Sequence, residues 1–144
     1  MPSFNIVSHN DNQYQITGSF DLSAAAAVLN ITYPAGQTKT VRGKGMTVTK
    51  SATGQYDVTV KTSSTISGPT FQAVEFLYGD ATINATVVAT VLSARVASVT
   101  LSTAGDLVVR VITTQTTGAA ADTTAAITVS FEVEICTNRM DQAL

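Results

Sequence analysis

The stretch Val41–Lys61, VRGKGMTVTKSATGQYDVTVK, decides how the rest of the chain is read. Met46 and Val48 alternate with Thr47 and Thr49; after a short loop, Tyr56, Val58 and Val60 alternate with Asp57 and Thr59. Successive side chains of a strand point to opposite faces, so period-two patterning on both sides of a loop containing Gly54 marks a β-hairpin. Gly54 can take the left-handed backbone that such a loop usually needs near its end. Gly43 and Gly45 flank Lys44 and break the parity with Val41, as a bulge or bend would.

Working outward, the same alternation recurs. Tyr14, Ile16, Phe20 and Leu22 share one parity, with Gly18 on the apolar side, and read as a half-buried strand. Ala24–Ala27 supports at most one helical turn capped by Ser23, and Val28–Tyr33 resumes as a strand that Pro34-Ala35-Gly36 ends. Beyond the hairpin, Thr62–Thr70 is a polar connection. Phe71–Tyr78 is a strand near the middle of the fold, Gly79-Asp80 a turn, and Ile83–Val91 another alternating strand. Arg95, Ala97, Val99 and Leu101 continue on one parity after a break at Ser93-Ala94. Ala104-Gly105-Asp106 is a turn, Leu107–Ile112 a β-branched strand, and Thr113–Thr124 a loop of Thr, Ala and Gly with the look of a mobile segment. Ile127, Val129, Phe131, Val133 and Ile135 then alternate without fault. The expected fold is all-β, a β-sandwich (Ig-like or jelly-roll-like) of about eight short antiparallel strands with no substantial helix. It forms one domain over residues 1–136, with 137–144 as a C-terminal arm or disordered tail.

The totals narrow the function classes. In 144 residues only 12% are charged, about half the usual share, so the surface is built from Thr, Ser, Ala, Asn and Gln. Such a surface suits a protein partly covered by neighbours in an assembly. The net charge of −2 argues against nucleic acid as a partner, and no apolar run approaches the ~18 residues of a membrane helix. Cys136 is the only cysteine, so no intrachain disulfide can form, and the N-terminal segment has no signal-peptide pattern.

Catalytic chemistry finds little to work with. His9 is the only histidine, and a Cys136–His9 dyad would need the fold to join two residues that composition explains as an exposed histidine and a strand-end cysteine. One histidine and one cysteine are too few for zinc. Asp11 with Asn10 and Asn12, or Asp80 with Asn84, lack the ligand spacing of a calcium loop and read as turns. Gly43-Lys44-Gly45 lacks the glycine spacing and following helix of a phosphate loop. The expectation is a non-enzyme without cofactor or metal. Lys39, Arg42, Lys44 and Lys50 gather within the hairpin region and are the candidate partner-contact residues, either steering a docking event or protecting an edge strand from aggregation.

With these residues in view, the chain resembles a broad group of small β-rich structural proteins of tailed bacteriophages. The shared pattern is a G-x-G-x-x-V/F-T hairpin followed by G-x-Y-x-V-T, standing here as Gly43–Thr49 and Gly54–Val60. A Thr/Gly/Ala loop with an aspartate before a last apolar strand, Gly118–Asp122 then Ile127–Ile135, completes it. The resemblance covers about residues 41–136. It implies a head decoration (cement) protein on the outer capsid surface of the virion, made in the host cytoplasm. Its partners would be the major capsid protein and further copies of itself in a homodimer or homotrimer, with no nucleic acid and no membrane. Two alternatives stand beside it: a tail or neck component, and a carbohydrate-binding or adhesin-type β-sandwich using Tyr14, Tyr33, Tyr56 or Tyr78.

Overall fold

In a computed structural model of the chain, residues 3–8, 13–28, 32–33, 37–38, 46–60, 71–85, 93–103 and 105–139 are described. They form ten strands: β1 (Ser3–Ser8), β2 (Gln13–Leu22), β3 (Thr32–Tyr33), β4 (Gln37–Thr38), β5 (Met46–Ala52), β6 (Gln55–Val60), β7 (Phe71–Ala85), β8 (Ser93–Leu101), β9 (Leu107–Thr114) and β10 (Ile127–Arg139). Eight of them make one antiparallel sheet in the order β1-β2-β10-β7-β8-β9-β6-β5, while β3 and β4 pair separately. Among the described residues there is no helix, as the sequence predicts.

The ladders run through one curled sheet instead of dividing into two. β7 and β8 meet in register at Ala81 and Ala94, joining the half β1-β2-β10-β7 to the half β8-β9-β6-β5. The halves face each other across a single core. Phe20 of β2 and Tyr56 of β6, far apart in strand order, lie with ring centroids 5.7 Å apart. Between the halves are buried Ile16, Leu22, Val58, Val60, Val109, Val111, Val129 and Ile135, all fully shielded from solvent. At roughly 1.5–3 kcal/mol per buried aliphatic side chain, this layer is the main source of stability.

The alternation predicted for β2, β6 and β10 is met: Tyr14, Ile16, Phe20 and Leu22, then Tyr56, Val58 and Val60, then Ile127 through Ile135 on odd positions, all face the core. β10 also continues to Arg139, paired with β7, and so reaches into the stretch read as a tail. The Ser23–Ala27 segment is a turn, not a helical one. The Ser23 hydroxyl accepts the Ala25 and Ala27 N–H groups at 3.2 Å, and Ala26 sits at φ 60°.

Three readings are corrected. Gly79-Asp80 is not a turn; β7 runs straight through it, with Gly79 opposite Val133. Glycine is needed there for closeness, since a Cβ would stand 2.7 Å from Phe76 Cζ and 2.9 Å from Val96 Cβ. The parity assigned to β8 fails in its first half. Register shifts between Val96 and Ser98, leaving Ala97 as an extra residue, so Ala94 is buried and Arg95 and Ala97 are exposed. Finally, Ser3–Ser8, to which no strand was assigned, pairs with β2 as one edge of the sheet. The expected bulge at Gly43 and Gly45 and the 86–91 part of the Ile83–Val91 strand lie outside the described residues.

Candidate functional site

At one end of the curled sheet three connections come together. They are the Ser23–Ala27 turn after β2, the Thr53-Gly54 turn between β5 and β6, and the 115–126 connection that crosses from β9 to β10. Gly54 is the centre. Its φ of 63° is left-handed, and a Cβ there would lie 2.6 Å from both the N and the O of Ala121. The Gly54 carbonyl accepts the Thr113 N–H at 2.8 Å, and the Gly54 N–H donates to Asp122 Oδ1 at 2.7 Å. The other carboxylate oxygen of Asp122 takes the Lys50 ammonium at 2.7 Å. Thr113, buried, donates its hydroxyl to the Ala121 carbonyl at 2.7 Å, and the Ala121 N–H returns to the Thr113 carbonyl at 2.9 Å. Tyr56 ties this knot to the opposite half by donating its hydroxyl to the Ala26 carbonyl at 3.0 Å.

The electrostatics follow from that geometry. The hydrogen bond from Lys50, and then that from the Gly54 N–H, hold the Asp122 carboxyl below its ordinary value. Burial, with the Asp122 charge nearby, pushes the Tyr56 phenol up to about 12. Because the Asp122 pKa is lower folded than unfolded, its contribution is present above about 3.8 and is lost as pH falls toward the folded value. Asp122→Asn should therefore destabilise by about 1 kcal/mol at neutral pH, the worth of a partly exposed ion pair and a weakened charge-assisted hydrogen bond. Urea unfolding of both proteins would show the gap narrowing below pH 4; a gap that stays constant with pH would contradict the assignment.

Around this knot the exposed side chains are short or uncharged apart from the Lys50–Asp122 pair. Gln115–Ala120 forms a tight hairpin tip closed by the Gln115 N–H to Ala119 carbonyl bond at 3.0 Å, and each of its residues is exposed. Ser51, Ala52 and Thr53 at the β5–β6 turn, and Ala24 and Ala25 at the other turn, are exposed. The stretch expected to be mobile is thus anchored at its base through Thr113, Ala121 and Asp122. Short Thr, Ala, Ser and Gly side chains on a pinned backbone have little rotamer freedom to lose, which suits a surface that docks.

Of the four candidate contact residues, Lys39, Arg42 and Lys44 lie outside the described residues. Lys50 is turned to Asp122 and serves the internal knot. His9, Asn10, Asp11 and Asn12 are also outside the described residues. Cys136 is half-buried on the outer face of β10. Asp80 accepts the Ala81 N–H at 2.9 Å, and no group of three His, Cys, Asp or Glu side chains able to hold a metal ion occurs among the described residues. Of the tyrosines considered for a carbohydrate platform, Tyr14 and Tyr56 are buried and Tyr78 is exposed; the Tyr33 side chain is outside the description. No helix among the described residues is long and apolar enough to cross a membrane.

Sequence reasoning missed a second feature. Between Glu134 and Ile135 the β10–β7 register shifts so that Leu77 is an extra residue in β7. Val74 and Phe76 pack on the core before this bulge and Ala81 and Ile83 after it, so the inward parity switches. As a result, Leu77 and Tyr78 emerge side by side on the outer face, 46% and 51% exposed. The signal for it was the apolar run on both parities from Phe71 to Tyr78.

Comparison with family models, curated proteins and solved structures finds no match to this chain.

Proposed function

We propose that the chain is a structural virion protein, a capsid decoration (cement) protein that binds the outer surface of a phage head and stabilises contacts between major capsid proteins. The observation that supports this reading best is the bond between Gly54 and Asp122. These two residues belong to the two separate segments on which the resemblance to phage structural proteins rests, and they meet at 2.7 Å although 68 positions apart. The motif residues therefore act together, and what they build is a rigid, charge-poor tip. The finer reading of the fold belongs to the same proposal: the halves pack face to face over one core as the two sheets of an Ig-like or jelly-roll-like sandwich do.

The mechanism is adhesive. Each tip excludes water from a modest patch at ~25 cal/mol per Å² of apolar area, before ordering costs. Repetition over a symmetric shell multiplies modest contacts into cage stability. Purified protein added to undecorated heads should bind to saturation at a copy number on the order of hundreds per particle, as symmetry-related sites require. A few to a few dozen copies would instead mark a neck or tail component, and no binding at all would end the virion reading.

A further inference from the structure

The bulge that turns Leu77 and Tyr78 outward also shapes a hollow. An open cavity of about 140 Å³ is lined by Gln13, Tyr14, Leu77 and Glu134, contributed by β2, β7 and β10. Register explains the grouping. Cys136 pairs with Gln13 and Glu134 with Gln15, so Gln13 and Glu134 are diagonal neighbours on the outer face of the β2–β10 ladder. On its other side Glu134 pairs with Tyr78. Tyr78, 51% exposed, is therefore next in the chain to one lining residue and opposite another. Without the extra residue in β7 it would follow Val74 and Phe76 toward the core; the bulge turns its ring out.

Size and lining restrict what this cavity can hold. A cavity of roughly 150 Å³ admits one six-membered ring. Two planar polar groups, the Gln13 carboxamide and the Glu134 carboxylate, converge on it beside the apolar Leu77, the usual make-up of a small-molecule site. Gln13, Tyr14 and Glu134 each already interact within the chain, so the site does not wait for a counter-ion. A hydroxyl group asks less. A carboxylate has about four lone-pair positions, and a carboxamide both donates and accepts, so each can bond a hydroxyl without giving up its present partner. An anion is disfavoured by Glu134 itself and by Glu75 and Asp80, exposed along β7.

We propose that this cavity binds one ring of a neutral sugar. Gln13 and Glu134 bond hydroxyls on adjacent ring carbons, Leu77 packs on the ring edge, and the C–H face of the sugar lies on Tyr78. The pairing of ring and sugar is electrostatic as well as apolar: the face of an aromatic ring is negative, and the C–H groups of a pyranose are polarised positive by their oxygens. A charged sugar would meet the Glu134 carboxylate, and a larger solute would find polar partners on one side only. The site is open and takes a single ring of about twelve non-hydrogen atoms, so the expected Kd is on the order of millimolar. This inference adds a ligand to the protein and does not rest on head binding.

The test uses the whole chain and saturation-transfer NMR with glucose, galactose, mannose and N-acetylglucosamine, each up to about 50 mM, well above the expected Kd. At least one of them should receive saturation from the protein. The uronic acids of the same rings should bind at least ~5-fold more weakly, because Glu134 repels their charge, a readout that needs no variant. Tyr78→Ala and Glu134→Ala should each weaken binding at least ~5-fold with little change in Tm. Arg95→Ala, exposed on the other half, should leave it unchanged. Retardation in gels containing dextran, galactan or mannan separates the sources: retardation with NMR transfer marks a polysaccharide, and transfer alone a free sugar, either of which supports the site. No transfer from any of the four sugars, equal transfer to the uronic acids, or binding indifferent to both Tyr78→Ala and Glu134→Ala would overturn the proposal. Such a failure leaves head binding untouched, while sugar binding by a protein that ignores heads removes only the proposed function.

Discussion

Gly54→Ala should lower stability by about 3 kcal/mol, with a drop in Tm of about 10 °C for a chain of this length. Two costs combine. The left-handed backbone at φ 63° disfavours any residue with a Cβ by about 1–2 kcal/mol. The new methyl would also stand 2.6 Å from the N and O of Ala121 and 2.8 Å from the Thr113 carbonyl. Those are backbone atoms inside a hydrogen-bonded knot, not the ends of flexible side chains, so relief requires moving the 115–126 connection away from the hairpin. Gly118→Ala separates the costs. Its φ is 81°, yet a Cβ there meets nothing within 4 Å, so only the backbone cost of about 1–2 kcal/mol remains. Thermal unfolding of the two variants should rank them clearly; equal effects would mean that Gly54 is not the point where the two segments are locked.

Tyr56→Ala should cost about 4 kcal/mol, the usual loss for a large buried aromatic. Tyr56 is fully buried, and its ring touches Phe20 from the facing half. Truncation opens a void where the two halves meet, not within one of them. Tyr56→Phe keeps the ring and removes only the hydroxyl, leaving the buried Ala26 carbonyl without that donor, at about 1–2 kcal/mol. Alkaline unfolding adds a second readout. The phenol ionises near 10 when unfolded and at about 12 when folded, so the unfolded chain loses its proton first. Wild-type stability should fall as pH rises from 10 toward 12, a component that Tyr56→Phe lacks. Equal slopes for the two proteins would show that this phenol is not held as described.

How far the sequence disclosed this fold depends on how regular each strand is. β6 and β10 could be read because an unbroken alternation leaves one face for the core, and a half-buried strand needs nothing more. β7 and β8 could not, because each carries an extra residue, at Leu77 and Ala97, that reverses the parity midway. Gly79 misled for a related reason. Glycine is ordinary turn material, and only the packed structure shows Phe76 and Val96 crowding its missing side chain. The hairpin turn at Gly54 was legible from local spacing. Its bond to Asp122 was not, since no local pattern connects positions 68 apart. Lys50 illustrates the same limit: a lysine on an edge strand suggests protection or docking, and only the fold reveals the carboxylate it holds.

That pairing also governs how the protein can be made. β10 is inserted between β2 and β7, with Ile127 opposite Leu22 and Cys136 opposite Gln13. A strand made after both β2 and β7 is therefore the middle slat of its half, and those earlier strands wait for it with their apolar side uncovered. Folding during translation cannot finish until that slat has left the ribosome, and closing so long a loop makes the final step slow. A chain cut short before Ile127 would be left as an open sheet with two unpaired edges, β2 and β7, where β10 belongs.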